Sequence, residues 1–139
     1  YFPVFEYADA HGYVILSHTW GRNAAYFDEI ARQFRNACFI IGHGTVNKDF
    51  GLSGSPGYEE LLRKRDNVFL SLTSCYKFGE VERLGKKAGS EKILFGTDLD
   101  YLDGAFQLGN LAYARISDED KRKILGLNMK QIIDGYLSE

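Results

Sequence analysis

Two histidines and one aspartate of this sequence follow short apolar runs closely. His18 and His43 come one and two residues after such runs, and Asp98 comes three residues after another. In parallel α/β proteins the carboxyl ends of the strands form the edge where ligands bind. Neutral imidazoles and a carboxylate are suitable ligands for Zn²⁺ or a similar divalent ion. These three residues are therefore the candidates for a metal site.

Each candidate also has an ordinary structural interpretation. A lone histidine at a strand end is more often a hydrogen-bonded structural residue, and Asp98 could cap the segment that follows it. What favours a shared site is the occurrence of all three at equivalent positions of successive units. His11 lies before the first run, at the opposite end of the predicted sheet, and is interpreted as structural because that end serves stability.

Three further residues near the predicted strand ends allow two interpretations each. Cys75 is either a nucleophile beside a histidine or a buried small apolar residue. Trp20 either lines a pocket or packs, and Arg22 either meets an anionic substrate group or lies on the surface. Because Cys38 and Cys75 form no CxxC motif and no disulfide framework, we expect a reducing, cytoplasmic environment.

Four apolar runs predict the strands that position these residues. They do not alternate strictly between polar and apolar positions, which is typical of strands covered on both faces of a parallel sheet. Their starts are 24, 30 and 25 residues apart, close to one βαβ unit of about 30 residues. The runs are 13–17, 37–41, 67–72 and 92–95. We therefore expect parallel strands with right-handed crossovers.

Helices are predicted between and after the strands from capping residues and apolar periodicity. Pro3 fits a first helical turn, Gly12 fits a C-cap, and Asn128 is predicted to cap the last helix. The glycine-rich stretch 44–57 predicts an active-site loop. The predicted helices are 2–10, 23–36, 58–65, 78–88, 117–125 and 128–133.

Composition limits the classes of partner. The 139 residues are 45% hydrophobic and 26% charged, which is typical of one soluble globular domain. A net charge of −2 gives no electrostatic footprint for nucleic acid or an anionic membrane. No apolar run approaches the ~18–20 residues of a membrane span. We expect a small-molecule substrate, and neither a nucleic-acid nor a membrane partner.

Four motifs resemble, in order, the signatures of the amidohydrolase-2 branch of metal-dependent hydrolases. Residues 117–133 are similar to the C-terminal helix pair of that branch. The resemblance covers nearly the whole chain, and the motifs are Ile15-Leu-Ser-His-Thr-Trp20, Phe39-Ile-Ile-Gly-His-Gly44, Ile93-Leu-Phe-Gly-Thr-Asp98 and Ile124-Leu-Gly-Leu-Asn128. It implies an α/β fold of the (β/α)8 TIM-barrel type. Residues 1–139 would be a single partial barrel domain, contributing about the last four units plus the C-terminal helices.

The resemblance also implies a function for each candidate. The chain would belong to a hydrolase whose divalent metal, with zinc expected, activates water against a C–N or C–O bond. Some members of the branch instead decarboxylate aromatic or unsaturated acids. By this likeness His18 is a metal ligand, and His43 is a second ligand or the group that hydrogen-bonds the developing oxyanion. Asp98 is a metal ligand that takes the proton of the attacking water.

The sequence departs from the family pattern in two ways. It contains no His-x-His, and Asp100 stands where the family often has proline. His18 and Asp98 alone are too few ligands for a typical catalytic zinc. Four barrel strands would also leave two open edges. We therefore expect a partner, either a missing N-terminal half or a second copy. Since residue 1 is Tyr and the only Met is Met129, we expect a processed piece or part of a longer protein.

Two alternatives stay open at this point. The chain could be a non-catalytic half-barrel that serves binding or assembly. It could also be an unrelated open, doubly wound sheet that binds an anion through the glycine-rich loop after Ile41. The last is ranked lowest because Gly42-His-Gly-Thr45 lacks the lysine and the spacing of a P-loop.

Overall fold

The chain forms four strands that alternate with helices. The computed structural model describes residues 1–18, 23–43 and 57–136. The four predicted strands are confirmed, each beginning one residue later than predicted; they are β1 (Val14–His18), β2 (Cys38–Gly42), β3 (Val68–Ser71) and β4 (Ile93–Leu94). The helices are α1 (Phe2–His11), α2 (Ala24–Gln33), α3 (Tyr58–Lys64), α4 (Glu80–Ala88), α5 (Gly104–Ala112), α6 (Asp118–Arg122) and α7 (Asn128–Tyr136). A 3-10 turn (Ser90–Lys92) precedes β4, and a π-helical turn (Lys123–Leu127) joins α6 to α7.

The strands pair in chain order, β1-β2-β3-β4, and every neighbouring pair is parallel. The register places Val14 beside Cys38 and His18 beside Gly42. A sheet that adds each new strand on the same side is singly wound, as in a (β/α) barrel. A doubly wound sheet reverses its direction at a switch point. The observed order therefore excludes the doubly wound alternative for the described part of the chain.

The two faces of the sheet have different cover, because successive side chains of a strand point to opposite faces. One face carries Phe39, Ile41 and Leu70 and packs against helices. These residues belong to the larger of two apolar clusters in the described residues. We call the opposite face, which carries Leu16, Ile40, Phe69 and Leu94, the inner face. There α7 covers Ile40 and Leu94 through Ile132 and Met129. Leu16 is nevertheless 72% exposed, so the described residues cover the inner face only in part.

Helix α5 is absent from the sequence prediction. Gly104 begins this helix and Gly109 lies in its interior, where glycine costs about 1 kcal/mol relative to alanine. Its start is nevertheless marked locally, since the Asp103 side chain accepts a hydrogen bond from the backbone of Ala105 at 2.9 Å. An N-cap aspartate was thus the signal available in the sequence.

Asn128 does not cap the last helix, contrary to the prediction. Its backbone is helical, and the chain enters α7 directly from the π-helical turn. The buried side-chain amide instead donates hydrogen bonds to the carbonyl oxygens of Ser90 at 2.8 Å and Ile93 at 2.7 Å. Asn128 therefore ties the last helix to the start of β4, the strand that leads to Asp98.

We expect Asn128→Ala to lower the free energy of unfolding by about 2–3 kcal/mol, because two carbonyl groups lose their donor and the helix loses its tie to β4. The change is measured by urea denaturation of the intact protein. Asn36→Ala, at an exposed position, is the matched control and should stay within about 0.5 kcal/mol of wild type. Equal midpoints for the two variants would show that the amide contributes nothing.

Candidate active site

The structure brings His18, His43 and Asp98 together at the carboxyl edge of the sheet. His18 ends β1, His43 follows β2, and Asp98 lies four residues beyond β4. The ring centroids of the two histidines are 4.6 Å apart, and His43 Nε2 is 4.0 Å from Asp98 Oδ2. Their proximity follows from the parallel strands, whose carboxyl ends meet at one edge. Their roles in binding and catalysis stay predictions.

A fourth residue, Ser74, connects two of these candidates. Its hydroxyl donates to Asp98 Oδ2 at 3.2 Å and lies 3.1 Å from His43 Nδ1. The sequence pattern points to its neighbour Cys75 and does not single out Ser74. The available signal was position, since Ser74 follows β3 as His43 follows β2.

The backbone is unusual at three of these positions. His43, Ser74 and Asp98 have φ angles of 57°, 59° and 62°, and they are the non-glycine residues with positive φ among those the structure describes. A side chain in this left-handed region costs of order 1–3 kcal/mol, and such residues concentrate at active sites and ligand clamps. One left-handed residue follows each of β2, β3 and β4, so the strain coincides with the cluster.

Burial favours the neutral form of His43. This residue is 9% exposed, whereas the Asp98 side chain is 25% exposed and His18 is exposed. Burial lowers the pKa of His43; the Asp98 carboxylate opposes this shift and the neighbouring His18 adds to it. The ring is therefore neutral at neutral pH, the form that can bind a metal ion or accept a proton.

The described residues fit part of a metal site and do not complete one. Two imidazoles and a carboxylate have the right donor chemistry for a divalent ion. However, no group of three or more His, Cys, Asp and Glu in the described ranges is arranged to hold a metal ion. The 4.0 Å between His43 Nε2 and Asp98 Oδ2 also exceeds the ~3.3 Å that tetrahedral zinc with bonds near 2.0–2.1 Å imposes on two ligands. Further ligands would have to come from elsewhere.

The remaining candidates divide into structural residues and residues outside the description. Cys75 is buried in the larger apolar cluster, which supports its interpretation as a small apolar residue. Cys38 is also buried, and burial raises the pKa of its thiol to about 12. His11 lies at the far end of β1 with Nδ1 2.8 Å from the Tyr7 carbonyl oxygen, in agreement with a structural role. Trp20, Arg22 and the predicted loop up to residue 56 lie outside the described residues.

Comparison with known proteins gives one family match. Residues 1–131 match the family model described as Amidohydrolase. None of the curated proteins matches the sequence.

Several solved structures share the fold of the chain. A 5-carboxyvanillate decarboxylase from Sphingomonas paucimobilis has a TM-score of 0.68 at 14% identity. The match covers 95% of this chain and 52% of the decarboxylase. A dihydroxybenzoic acid decarboxylase from Polaromonas, with bound manganese and the inhibitor 2-nitroresorcinol, has a TM-score of 0.65 at 14% identity. The match covers 96% of this chain and 53% of the decarboxylase. A protein from Pseudomonas putida, proposed to be a 2-pyrone-4,6-dicarboxylic acid hydrolase, has a TM-score of 0.66 at 17% identity. The match covers 98% of this chain and 57% of that protein. The chain thus spans about half the length of these structures and has the fold of a partial (β/α) barrel.

Proposed function

Because the chain belongs to the amidohydrolase family, we propose that it forms the C-terminal part of a metal-dependent amidohydrolase barrel that acts on a small-molecule substrate. The observation that carries the proposal is the cluster of His18, His43 and Asp98 at the carboxyl edge of the sheet, with His43 Nε2 4.0 Å from Asp98 Oδ2. Catalytic groups of (β/α) barrels lie at this edge. We expect the protein to be located in the cytoplasm.

We infer that His18, His43 and Asp98 hold a divalent metal ion together with ligands from outside this group. Zinc is the metal expected from the donor types, and manganese is bound in one of the structures that share the fold. When bound, such an ion polarises a substrate carbonyl group and increases the acidity of water.

Asp98, Ser74 and His43 would have different roles in the reaction. Asp98 is partly exposed and would accept a proton from water and return it to the leaving group. Ser74 holds one carboxylate oxygen of Asp98 by a hydrogen bond, which limits the rotation of the carboxylate. His43 is neutral because burial lowers its pKa, so it would contribute a ring nitrogen without adding a positive charge to the site.

Decarboxylation is the second candidate reaction. It is favoured by the fold similarity to two decarboxylases of aromatic acids, whereas hydrolysis of a C–N or C–O bond is supported by the family description. The two reactions are distinguished by their products, since only decarboxylation releases CO₂ from an aromatic carboxylic acid.

Metal analysis of the intact protein tests the proposed site. We expect stoichiometric divalent metal in the wild type and a loss of metal affinity of at least about 100-fold in His18→Ala, because even outer-shell partners of a metal contribute 10–100-fold. The matched control is His11→Ala, which removes a histidine from the opposite end of β1 and should keep its metal.

Two results would contradict the proposal. Full metal content in His18→Ala would exclude His18 as a ligand. A wild type without metal under metal-replete conditions would favour the alternative, in which the half-barrel serves binding or assembly without catalysis.

A further inference from the structure

Ser74 is held rigidly between two candidate residues. It is 6% exposed, and its left-handed backbone, with φ 59°, lies in a turn closed by the hydrogen bond from the Cys75 N–H to the Leu72 carbonyl oxygen at 2.9 Å. Its hydroxyl reaches His43 and Asp98, residues that are 31 and 24 positions away in the chain. The position of the hydroxyl is therefore determined by the turn and by both contacts.

The number of hydrogen atoms in this cluster determines which group donates. A serine hydroxyl has one hydrogen atom and two lone pairs, and a carboxylate only accepts. The hydroxyl hydrogen of Ser74 is donated to Asp98 Oδ2. The contact of 3.1 Å between Ser74 Oγ and His43 Nδ1 is then a hydrogen bond only if Nδ1 carries a hydrogen atom and donates it.

We propose that Ser74 is a positioning residue that holds His43 in the Nδ1–H tautomer and leaves the lone pair on Nε2, on the side of the ring near Asp98. In a neutral imidazole, a hydrogen bond donated by one ring nitrogen leaves the other nitrogen without a hydrogen atom. The other nitrogen here, His43 Nε2, lies 4.0 Å from Asp98 Oδ2. In free histidine the more populated neutral tautomer carries its hydrogen on Nε2, and the Asp98 carboxylate 4.0 Å from Nε2 favours the same tautomer, so the hydrogen bond to Ser74 has to reverse both preferences.

The tautomer distinguishes the two roles that the family resemblance implies for His43. A neutral ring with its hydrogen on Nδ1 has a lone pair on Nε2, which can bind a cation or accept a proton. The same nitrogen cannot donate a hydrogen bond to a developing oxyanion. Ser74 therefore assigns His43 to the ligand or proton-acceptor role. This consequence rests on the proposed function, whereas the tautomer is a property of the metal-free protein.

Histidine ring ¹⁵N–¹H correlation spectra of the intact, metal-free protein at neutral pH test the proposal. The His43 signals are assigned from their loss in His43→Gln. We expect the unprotonated nitrogen to be Nε2 in the wild type. In Ser74→Ala we expect the unprotonated signal to move from Nε2 to Nδ1, because the acceptor for Nδ1–H is lost.

Ser71→Ala is the matched control. Ser71 is buried like Ser74, and its hydroxyl lies 2.6 Å from Thr73 Oγ1 in the same turn. This variant loosens the turn and leaves the Ser74 hydroxyl in place, so the His43 tautomer should not change.

Two results would overturn the proposal: a wild-type ring protonated on Nε2, or a Ser74→Ala ring that stays protonated on Nδ1. If circular dichroism shows that Ser74→Ala does not fold, Ser74→Gly takes its place, because glycine also lacks the hydroxyl and adopts a φ of 59° without strain. The unprotonated nitrogen of His43 is then expected to be Nδ1 in Ser74→Gly, and Nδ1–H in this variant overturns the proposal. A protein that shows the expected tautomers and binds no metal would contradict the proposed function and leave the role of Ser74 intact.

Discussion

Asp98→Asn is expected to reduce kcat/KM of the intact protein by about 10³-fold, within the 10²–10⁴-fold range for loss of a general acid–base group. An asparagine amide cannot accept a proton from water and is a much weaker ligand for a divalent ion than a carboxylate. Its amide oxygen can still accept the hydrogen bond from Ser74, which lies 3.2 Å from Asp98 Oδ2 in the wild type. The substitution thus removes the chemistry and retains the local geometry.

Asp100→Asn is the matched control for this substitution. Asp100 is exposed, lies two residues further along the same segment, and loses the same charge. Activity and metal content of this variant should equal those of the wild type, with circular dichroism confirming that both variants fold. Wild-type activity in Asp98→Asn would remove Asp98 from the proposed mechanism.

The second large effect is expected on the association of the chain through the open side of its sheet. β1 is an end strand, and a groove of about 470 Å³ runs along it between Phe5, Leu16 and His18. Leu16 is 72% exposed there, on the inner face. Unpaired strand edges and contiguous apolar surface are the features through which chains associate. We propose that further strands cover this side, either from an N-terminal half of the barrel or from a second copy.

We therefore expect residues 1–139 alone to associate in solution, as measured by light scattering after size-exclusion chromatography. Leu16→Asp should weaken this association by about 10- to 100-fold. Burial of a leucine contributes about 1.5–3 kcal/mol, and 1.4 kcal/mol is tenfold in affinity.

Leu108→Asp is the control, because Leu108 is an exposed leucine on α5. It should associate like the wild type. A monodisperse, stable monomer that binds no apolar dye would exclude the requirement for a completing partner.

The strands were predictable because their signal is local. A run of four to six mostly apolar residues between polar segments is typical of a strand that is covered on both faces, as in a parallel sheet with helices on its faces. Each observed strand begins one residue after its predicted start. Helix α5 is absent from the prediction because Gly109 in its interior lowers its helix propensity. Asn128 was assigned to the wrong role because its partners Ser90 and Ile93 are distant in the chain.

The sequence by itself determined which residues are candidates. His18, His43 and Asp98 follow the first, second and fourth predicted strands, and parallel strands bring their carboxyl ends to one edge whatever the details of packing. Only the tertiary structure decided how these residues interact. The left-handed backbone of His43, Ser74 and Asp98 and the two contacts of the Ser74 hydroxyl join separate βα units. Such contacts form only once the sheet has set the distances between strand ends, and no local pattern of residues encodes them.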